Sequence, residues 1–95
     1  MVYLRNAAIA CRGEEDGNFI ALNQITGAGY LMNATSKAIF DCCDGRDTPA
    51  IVSYIQGQYG GSVPNNLQDI VEKHLSLLEK AEILEVCESV SLTKI

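Results

Sequence analysis

The sequence has few basic residues, and they form no cluster. Seven Lys and Arg residues against twelve Asp and Glu residues leave a net charge of −5. Proteins that bind nucleic acids gain much of their affinity by placing Lys and Arg against phosphates. The segment 49–59, which the pattern predicts to be helical, contains no Lys or Arg. The charge therefore argues against a nucleic-acid partner.

The sequence also lacks a long apolar run. No stretch approaches the ~20 residues that a bilayer-spanning helix needs. The N-terminus shows no basic region followed by an apolar core and a cleavage site, so it does not resemble a secretory signal. We expect no membrane association and a cytoplasmic location. Ninety-five residues are enough for one modest core, which predicts a single domain over residues 1–88 and a tail over 89–95.

Residues suited to catalysis or metal binding are scarce. The cysteines are Cys11, Cys42, Cys43 and Cys87, and none forms the C-x₂₋₄-C pair of a metal site. We expect buried thiols that act as small apolar side chains. His74, the single histidine, falls within a predicted apolar stripe, which favours a structural imidazole over a general base. No nucleophile motif or phosphate-loop motif occurs, so we expect no catalysis, no metal and no cofactor.

The chain is organised around residues 27–40, where a short strand leads into a helix. Strand-forming residues occupy Val2–Arg12, Phe19–Leu22 and Tyr30–Met32, and short glycine-bearing turns separate these segments. Links this short predict a three-stranded antiparallel meander. Asn33 follows the third strand and is predicted to cap the first helix, since its side chain can accept from a free N–H group of the first turn.

Three helices are predicted after this sheet. They cover residues 34–43, 48–59 and 64–80 approximately. The first is expected to stop at Asp44-Gly45, where glycine can adopt the left-handed cap. The second is expected to have Thr48 as its cap and Pro49 in its first position, and to end at Gly60-Gly61. Ala81–Cys87 is predicted to be a final extended segment, which completes an α+β fold.

One flank of the third predicted helix carries more apolar residues than a small sheet requires. The main stripe consists of Leu67, Val71, Leu75 and Leu78. Ile70 and Leu77 lie together on the adjacent flank, bordered by Asn66 and Lys73. The apolar face is thus wider than the ~100° typical of a helix on a globular core. The surplus flank either packs on another helix or lines a groove.

The order of these motifs resembles that of the PqqD-like proteins. The resemblance rests on Ile20-Ala-Leu22, Thr26-Gly27, Gly29-Tyr-Leu-Met-Asn33-Ala-Thr35, Ile39-Phe40 and Asp44-Gly45, and it continues through Thr48–Tyr59 and Leu67–Leu84. It covers roughly residues 17–86. The family fold is a three-stranded antiparallel sheet followed by three helices in a winged helix-turn-helix-like arrangement, which agrees with the pattern above.

The resemblance implies a non-catalytic recognition element for ribosomally synthesised, post-translationally modified peptides. The leader of a precursor peptide would bind as an extra antiparallel strand, and the domain would present the peptide to a modifying enzyme, often a radical S-adenosylmethionine protein. Carried onto this chain, the peptide-binding residues would be Tyr30, Leu31 and Met32 on the third strand and Asn66, Ile70, Lys73 and Leu77 on the third helix. Lys73 would pair with an acidic leader residue.

A second function is compatible with such a fold. A winged-helix transcriptional regulator that binds DNA would have a similar architecture, but its recognition helix would be basic.

The chain also departs from the family pattern in having Glu82 where members often have glycine. The sequence leaves open which precursor and enzyme are the partners, and whether the chain is a monomer or a homodimer.

Overall fold

Four strands precede the first helix in the computed structural model, which describes residues 1–59 and 63–87. The strands are β1 (Val2–Arg5), β2 (Ile9–Gly13), β3 (Phe19–Asn23), β4 (Gly29–Met32), β5 (Asp44–Arg46) and β6 (Leu84–Cys87). The helices are α1 (Ala34–Asp41), α2 (Thr48–Tyr59) and α3 (Leu67–Lys80). None of these helices is long and apolar enough to cross a membrane. The predicted Gly60-Gly61 stop and the predicted tail lie outside the described residues.

The strands form two three-stranded antiparallel sheets. β2, β3 and β4 pair in chain order, and this is the predicted meander. β5, β1 and β6 form the second sheet, with β1 in the centre. The α+β class and the antiparallel sheet accompanied by three helices are confirmed. The second sheet is a correction to the expectation that only helices and one extended segment follow the meander.

The segment predicted as one first strand, Val2–Arg12, is divided between the two sheets. The Asn6 side chain accepts from the N–H of Ala8 at 2.9 Å, and the Asn6 carbonyl accepts from the N–H of Ile9 at 3.0 Å. These two bonds form a tight turn of the kind that asparagine favours. The single predicted strand was therefore wrong.

The capping predictions were right for α1 and wrong for α2. The Asn33 side chain accepts from the N–H of Ser36 at 2.8 Å, as predicted. At α2, the side chain of Asp47 accepts from the N–H of Ala50 at 3.0 Å. Asp47 therefore performs the capping expected of Thr48, and Pro49 occupies the second helical position.

The other helix ends also differ from prediction. α1 ends at Asp41, because the backbone enters β5 at Asp44. Gly45 does have a positive φ of 109°, but it lies within β5 rather than capping α1. α3 begins at Leu67, three residues after Pro64, whose carbonyl accepts from the N–H of Leu67.

The core lies among the three helices and includes Ala21 and Met32 from the inner face of the meander and Leu84 from β6. Its largest fully buried side chains are Met32, Ile39, Ile51, Leu75, Leu78 and Val71. The predicted stripe of α3 is buried throughout, which accounts for the placement of that helix. Each such side chain contributes roughly 1.5–3 kcal/mol to folding by leaving water.

Two of the four cysteines belong to this core. Cys42 and Cys43 are buried, and burial raises the pKa of the Cys43 thiol to about 12. Because the thiolate is the reactive form, this shift disfavours reaction at Cys43, which acts as a small apolar side chain. Cys11 and Cys87 are exposed, so the expectation of burial was wrong for both of them, which lie on sheet strands β2 and β6.

The exit from α3 is a glycine-type cap made without glycine. The N–H of Ile83 bonds to the carbonyl of Leu78 at 2.9 Å, and the N–H of Glu82 bonds to the carbonyl of Glu79 at 3.0 Å. This pair of bonds is the Schellman motif, which requires a left-handed residue just past the helix. Glu82 provides it with φ of 63°, so the departure from the family pattern leaves the exit geometry intact.

Substitution of Glu82 by glycine is expected to stabilise the protein. The left-handed conformation costs a residue with a Cβ roughly 1 kcal/mol, and glycine avoids that cost. We expect Glu82→Gly to raise the free energy of unfolding in urea by roughly 0.5–1 kcal/mol. Glu79→Gly, within α3, is the matched control and should lower it by about 0.5–1 kcal/mol. A loss of stability in both variants would contradict the cap.

Candidate functional site

The strand β4 has an open edge. In the described part of the chain, β4 pairs with β3 on one side and with no strand on the other. An open edge presents backbone donors and acceptors in a row, and an extended peptide can complete the row by adding a strand. Peptide addition is therefore the binding chemistry for which this edge is suited.

The pairing of β4 with β3 decides which backbone groups face the open edge. The carbonyl of Ala28 accepts from the N–H of Asn23 at 2.8 Å, so these residues form a hydrogen-bonded pair at the turn. Hydrogen-bonded and non-hydrogen-bonded pairs alternate along antiparallel strands. Tyr30 and Met32 thus use their N–H and C=O groups toward β3, whereas those of Gly29 and Leu31 point outward.

The three predicted strand residues lie in three different environments. Leu31 is 64% exposed and faces away from the core. Tyr30 is half-buried and packs against the core, opposite Ala21 in the register. Met32 is fully buried. The side chain of Met32 is therefore unable to line a binding surface, because it fills the core beneath the sheet.

The predicted flank of α3, formed by Asn66, Ile70, Lys73 and Leu77, lies along the accessible side of the helix. Ile70 is half-buried, Asn66 and Lys73 are exposed, and Leu77 is 42% exposed. A large apolar side chain with this exposure is not covered by another described element. Leu77 was therefore left unpacked when α3 docked, which favours the groove over the helix-packing alternative.

A cleft joins the open edge of β4 to the end of α3. Its volume is about 250 Å³, and its lining residues are Asn23, Thr26, Ala28, Gly29, Tyr30, Ala81, Glu82 and Ile83. Leu77 lies one helical turn before Ala81, on the same side of the helix. We name the cleft and the α3 flank together the groove. Tyr30 lines the cleft itself.

A family model and a solved structure match the chain over most of its length. The family model of coenzyme PQQ synthesis protein D (PqqD) matches residues 14–84. The chain belongs to the PqqD family. The solved structure of TbiB1 in complex with the TbiA(beta) leader peptide shares the fold, with a TM-score of 0.69 and 20% sequence identity over 90% of this chain and 98% of that one. No curated protein matches the chain.

In this PqqD-family chain, a polar pair joins α1 to α3. The Nδ1 atom of His74 lies 2.8 Å from Oγ of Ser36, which is buried near the start of α1. Burial lowers the pKa of His74, and the neighbouring charge of Lys73 lowers it further. His74 is a half-buried, neutral imidazole with a structural hydrogen bond, as the sequence predicts.

The neutral state of His74 gives the fold a pH dependence. Its pKa in the unfolded chain is about 6.5, and its folded pKa is lower. The unfolded chain therefore binds more protons as the pH falls below about 6.5, and the free energy of unfolding decreases. Urea unfolding between about pH 7.5 and 5.5 measures this loss. His74→Gln should have a flatter profile; an equal slope in the two proteins would refute the assignment.

Several residues of the groove escaped the sequence prediction. Gly29 provides outward backbone groups, and Ala81 and Ile83 line the cleft. A period-two pattern indicates which residues share a face of β4, but it does not indicate which face is buried. Likewise, the turn after α3 enters the groove only because of the Schellman motif, and the usual signal for that motif, a glycine, is absent.

Proposed function

We propose that this PqqD-family chain is a peptide-recognition domain that binds the leader of a ribosomally synthesised precursor peptide and presents the peptide to a modifying enzyme. The observation that carries the proposal is the open edge of β4, which a cleft joins to the end of α3. The exposed apolar side chain of Leu77 on that helix supports it. The leader adds to β4 as an antiparallel strand. The recognition domain spans residues 1–88, and the enzyme that it serves is of the kind that family members often assist, a radical S-adenosylmethionine protein.

Backbone pairing supplies the affinity that is independent of leader sequence. The outward N–H and C=O groups of Gly29 and Leu31 offer four hydrogen-bonding positions to the leader. Each such bond contributes about 0.5–1.5 kcal/mol net. Backbone bonds alone discriminate poorly between peptides, so side chains must provide the selectivity.

Side-chain selectivity arises in the groove. Leader residues that point inward contact the ring of Tyr30 and the apolar side chains of Ile70 and Leu77. Asn66 borders this surface with an amide, and Lys73 offers an exposed ammonium group to an acidic leader residue. An exposed ion pair of this kind contributes about 0.2–1 kcal/mol, so apolar contact is the larger part of the recognition.

The domain works by binding and not by catalysis. The two buried thiols have raised pKa values, and the imidazole of His74 is committed to Ser36. These groups lack the activated character of a nucleophile or general base. Chemical modification of the peptide is assigned to the partner enzyme, and both proteins act in the cytoplasm.

The proposal is tested by an NMR titration of the full chain. The probes are synthetic peptides covering the first ~30 residues of each short reading frame encoded beside the gene. We expect one peptide to shift the amide signals of Gly29 and Leu31, together with those of Ile70 and Leu77. Its scrambled sequence is the control. Shifts confined to α1 and α2, or no binding by any of these peptides, would overturn the proposal.

A further inference from the structure

The outer face of the meander carries an exposed apolar surface. This outer face, opposite to the core, consists of Ala10, Arg12, Ile20, Leu22, Gly29 and Leu31, as the register and the burial of Ala21 and Met32 require. Leu22 is 42% exposed and Leu31 is 64% exposed. Covering leucines with this exposure on one sheet face lowers the free energy, because it removes apolar surface from water.

A gap lies within this surface at Gly29. Gly29 stands opposite Leu22 in the register and two residues before Leu31 on the same strand. A Cβ atom added at Gly29 would meet no atom within 4 Å, and the backbone φ there is not in the left-handed region. The glycine is thus not required by the backbone. Its effect on the outer face is an opening bordered by two leucines.

The open edge determines which peptide residues reach this opening. A strand added to β4 forms its hydrogen-bonded pairs with Gly29 and Leu31. Residues opposite each other in antiparallel strands have their side chains on the same face. The peptide residues opposite Gly29 and Leu31 therefore lie on the outer face, and the residue between them enters the groove beside Tyr30.

We propose that the outer face is a second specificity surface for the same leader, which rests on the proposed function. The leader carries a large apolar side chain, such as Leu, Ile, Met or Phe, opposite Gly29. This side chain crosses the glycine and packs on Leu22 and Leu31. The leader is the occupant because Leu31 belongs to both surfaces: its backbone groups face the open edge, and its side chain borders the opening.

The proposal predicts a two-sided pattern in the peptide. Side chains of alternate peptide residues pack in the groove, and the side chains of the residues between them pack on the outer face. Covering one apolar side chain is expected to change peptide affinity roughly tenfold. A peptide that is apolar on its groove side alone should bind about that much more weakly.

The experiment selects peptides from a displayed library of random 15-residue sequences, with the full chain as bait. Wild-type selections are expected to enrich a large apolar residue opposite Gly29. Gly29→Val fills the opening while keeping strand propensity, so its selections should prefer Gly, Ala or Ser there, with unchanged residues at the groove positions. A wild-type-selected peptide should bind Gly29→Val roughly tenfold more weakly. Identical preferences in the two selections would overturn the inference.

Two further variants separate this inference from the alternatives. Leu22→Thr should weaken the wild-type-selected peptide roughly fivefold to tenfold, whereas Ile25→Thr, at an 84%-exposed position in the turn, should leave the affinity unchanged. If Leu22→Thr alters the oligomeric state and not the affinity, the outer face contacts a second copy and the inference is wrong. If the selected peptides leave the Gly29 and Leu31 amide signals unshifted, the proposed function itself fails.

Discussion

Replacement of Leu31 by proline is expected to weaken leader binding about 30- to 150-fold while the protein stays folded. Proline lacks the N–H group, so the leader loses one bond and keeps an unpaired carbonyl, which costs about 2–3 kcal/mol. The same N–H points away from β3, and proline is tolerated at such positions of edge strands. The preceding residue, Tyr30, is already extended, as a residue before proline prefers.

Binding is measured by isothermal titration with the peptide identified in the NMR titration, and folding by thermal unfolding. Leu31→Val is the matched control, because it keeps the N–H group, the apolar character and the strand propensity. We expect near-wild-type affinity for the valine variant and similar unfolding midpoints for both. A folded Leu31→Pro protein that binds as tightly as wild type would show that the leader does not pair with β4.

Truncation of two neighbouring leucines of α3 should affect different properties: folding stability for Leu78 and leader affinity for Leu77. Leu78 is fully buried, so Leu78→Ala leaves a cavity and is expected to cost about 2–5 kcal/mol of folding stability. Small domains have only about 5–15 kcal/mol in total, so much of the stability would be lost. Leu77 is 42% exposed, and Leu77→Ala should cost less than about 1 kcal/mol.

Leader affinity separates the same two variants. Leu77→Ala removes part of the groove wall and should weaken binding roughly tenfold. The folded fraction of Leu78→Ala, by contrast, should bind with an affinity close to that of wild type. Urea unfolding and titration of both variants measure this contrast. Unchanged affinity in Leu77→Ala would remove the α3 flank from the binding surface.

The parts of the fold that local patterns encode were predictable. Asn33 caps α1 because asparagine before a helix-forming segment accepts from free N–H groups, and the glycine-bearing turns fix the meander. The buried stripe of α3 follows from its spacing alone. These signals act over a few residues, so a single sequence contains all the information needed to recognise them.

The second sheet was not predictable, because its pairing is a long-range choice. β5 consists of Asp44-Gly-Arg46, a segment with no apolar alternation and with strong turn character. It becomes a strand because β1 offers a pairing edge more than thirty residues away in sequence. β6 likewise depends on β1. Because β1 was not predicted as a separate strand, the pairing of β5 and β6 with it could not be predicted either.

The site was predictable to the extent that it depends on the family resemblance and on helical spacing. The α3 flank emerged from spacing, and the β4 edge from the resemblance. The distinct environments of Leu31 and Met32 were not predictable, because Tyr30-Leu31-Met32 is apolar throughout and contains no polar residue to mark the exposed position. The outer face was missed for the same reason, since Phe19–Leu22 contains no polar residue to mark the solvent side.

The unpaired side of β4 also has a consequence for the protein on its own. β4 contains no proline or lysine, and no strand of residues 1–59 and 63–87 covers its open edge. Such an edge is a template for unwanted pairing between chains, and the exposed Leu31 adds an apolar contact. The shortness of β4, at four residues, and the mutual repulsion of chains with a net charge of −5 limit this aggregation. On the proposed function, a leader bound to β4 would cover this edge and would therefore also protect the domain from pairing with other chains.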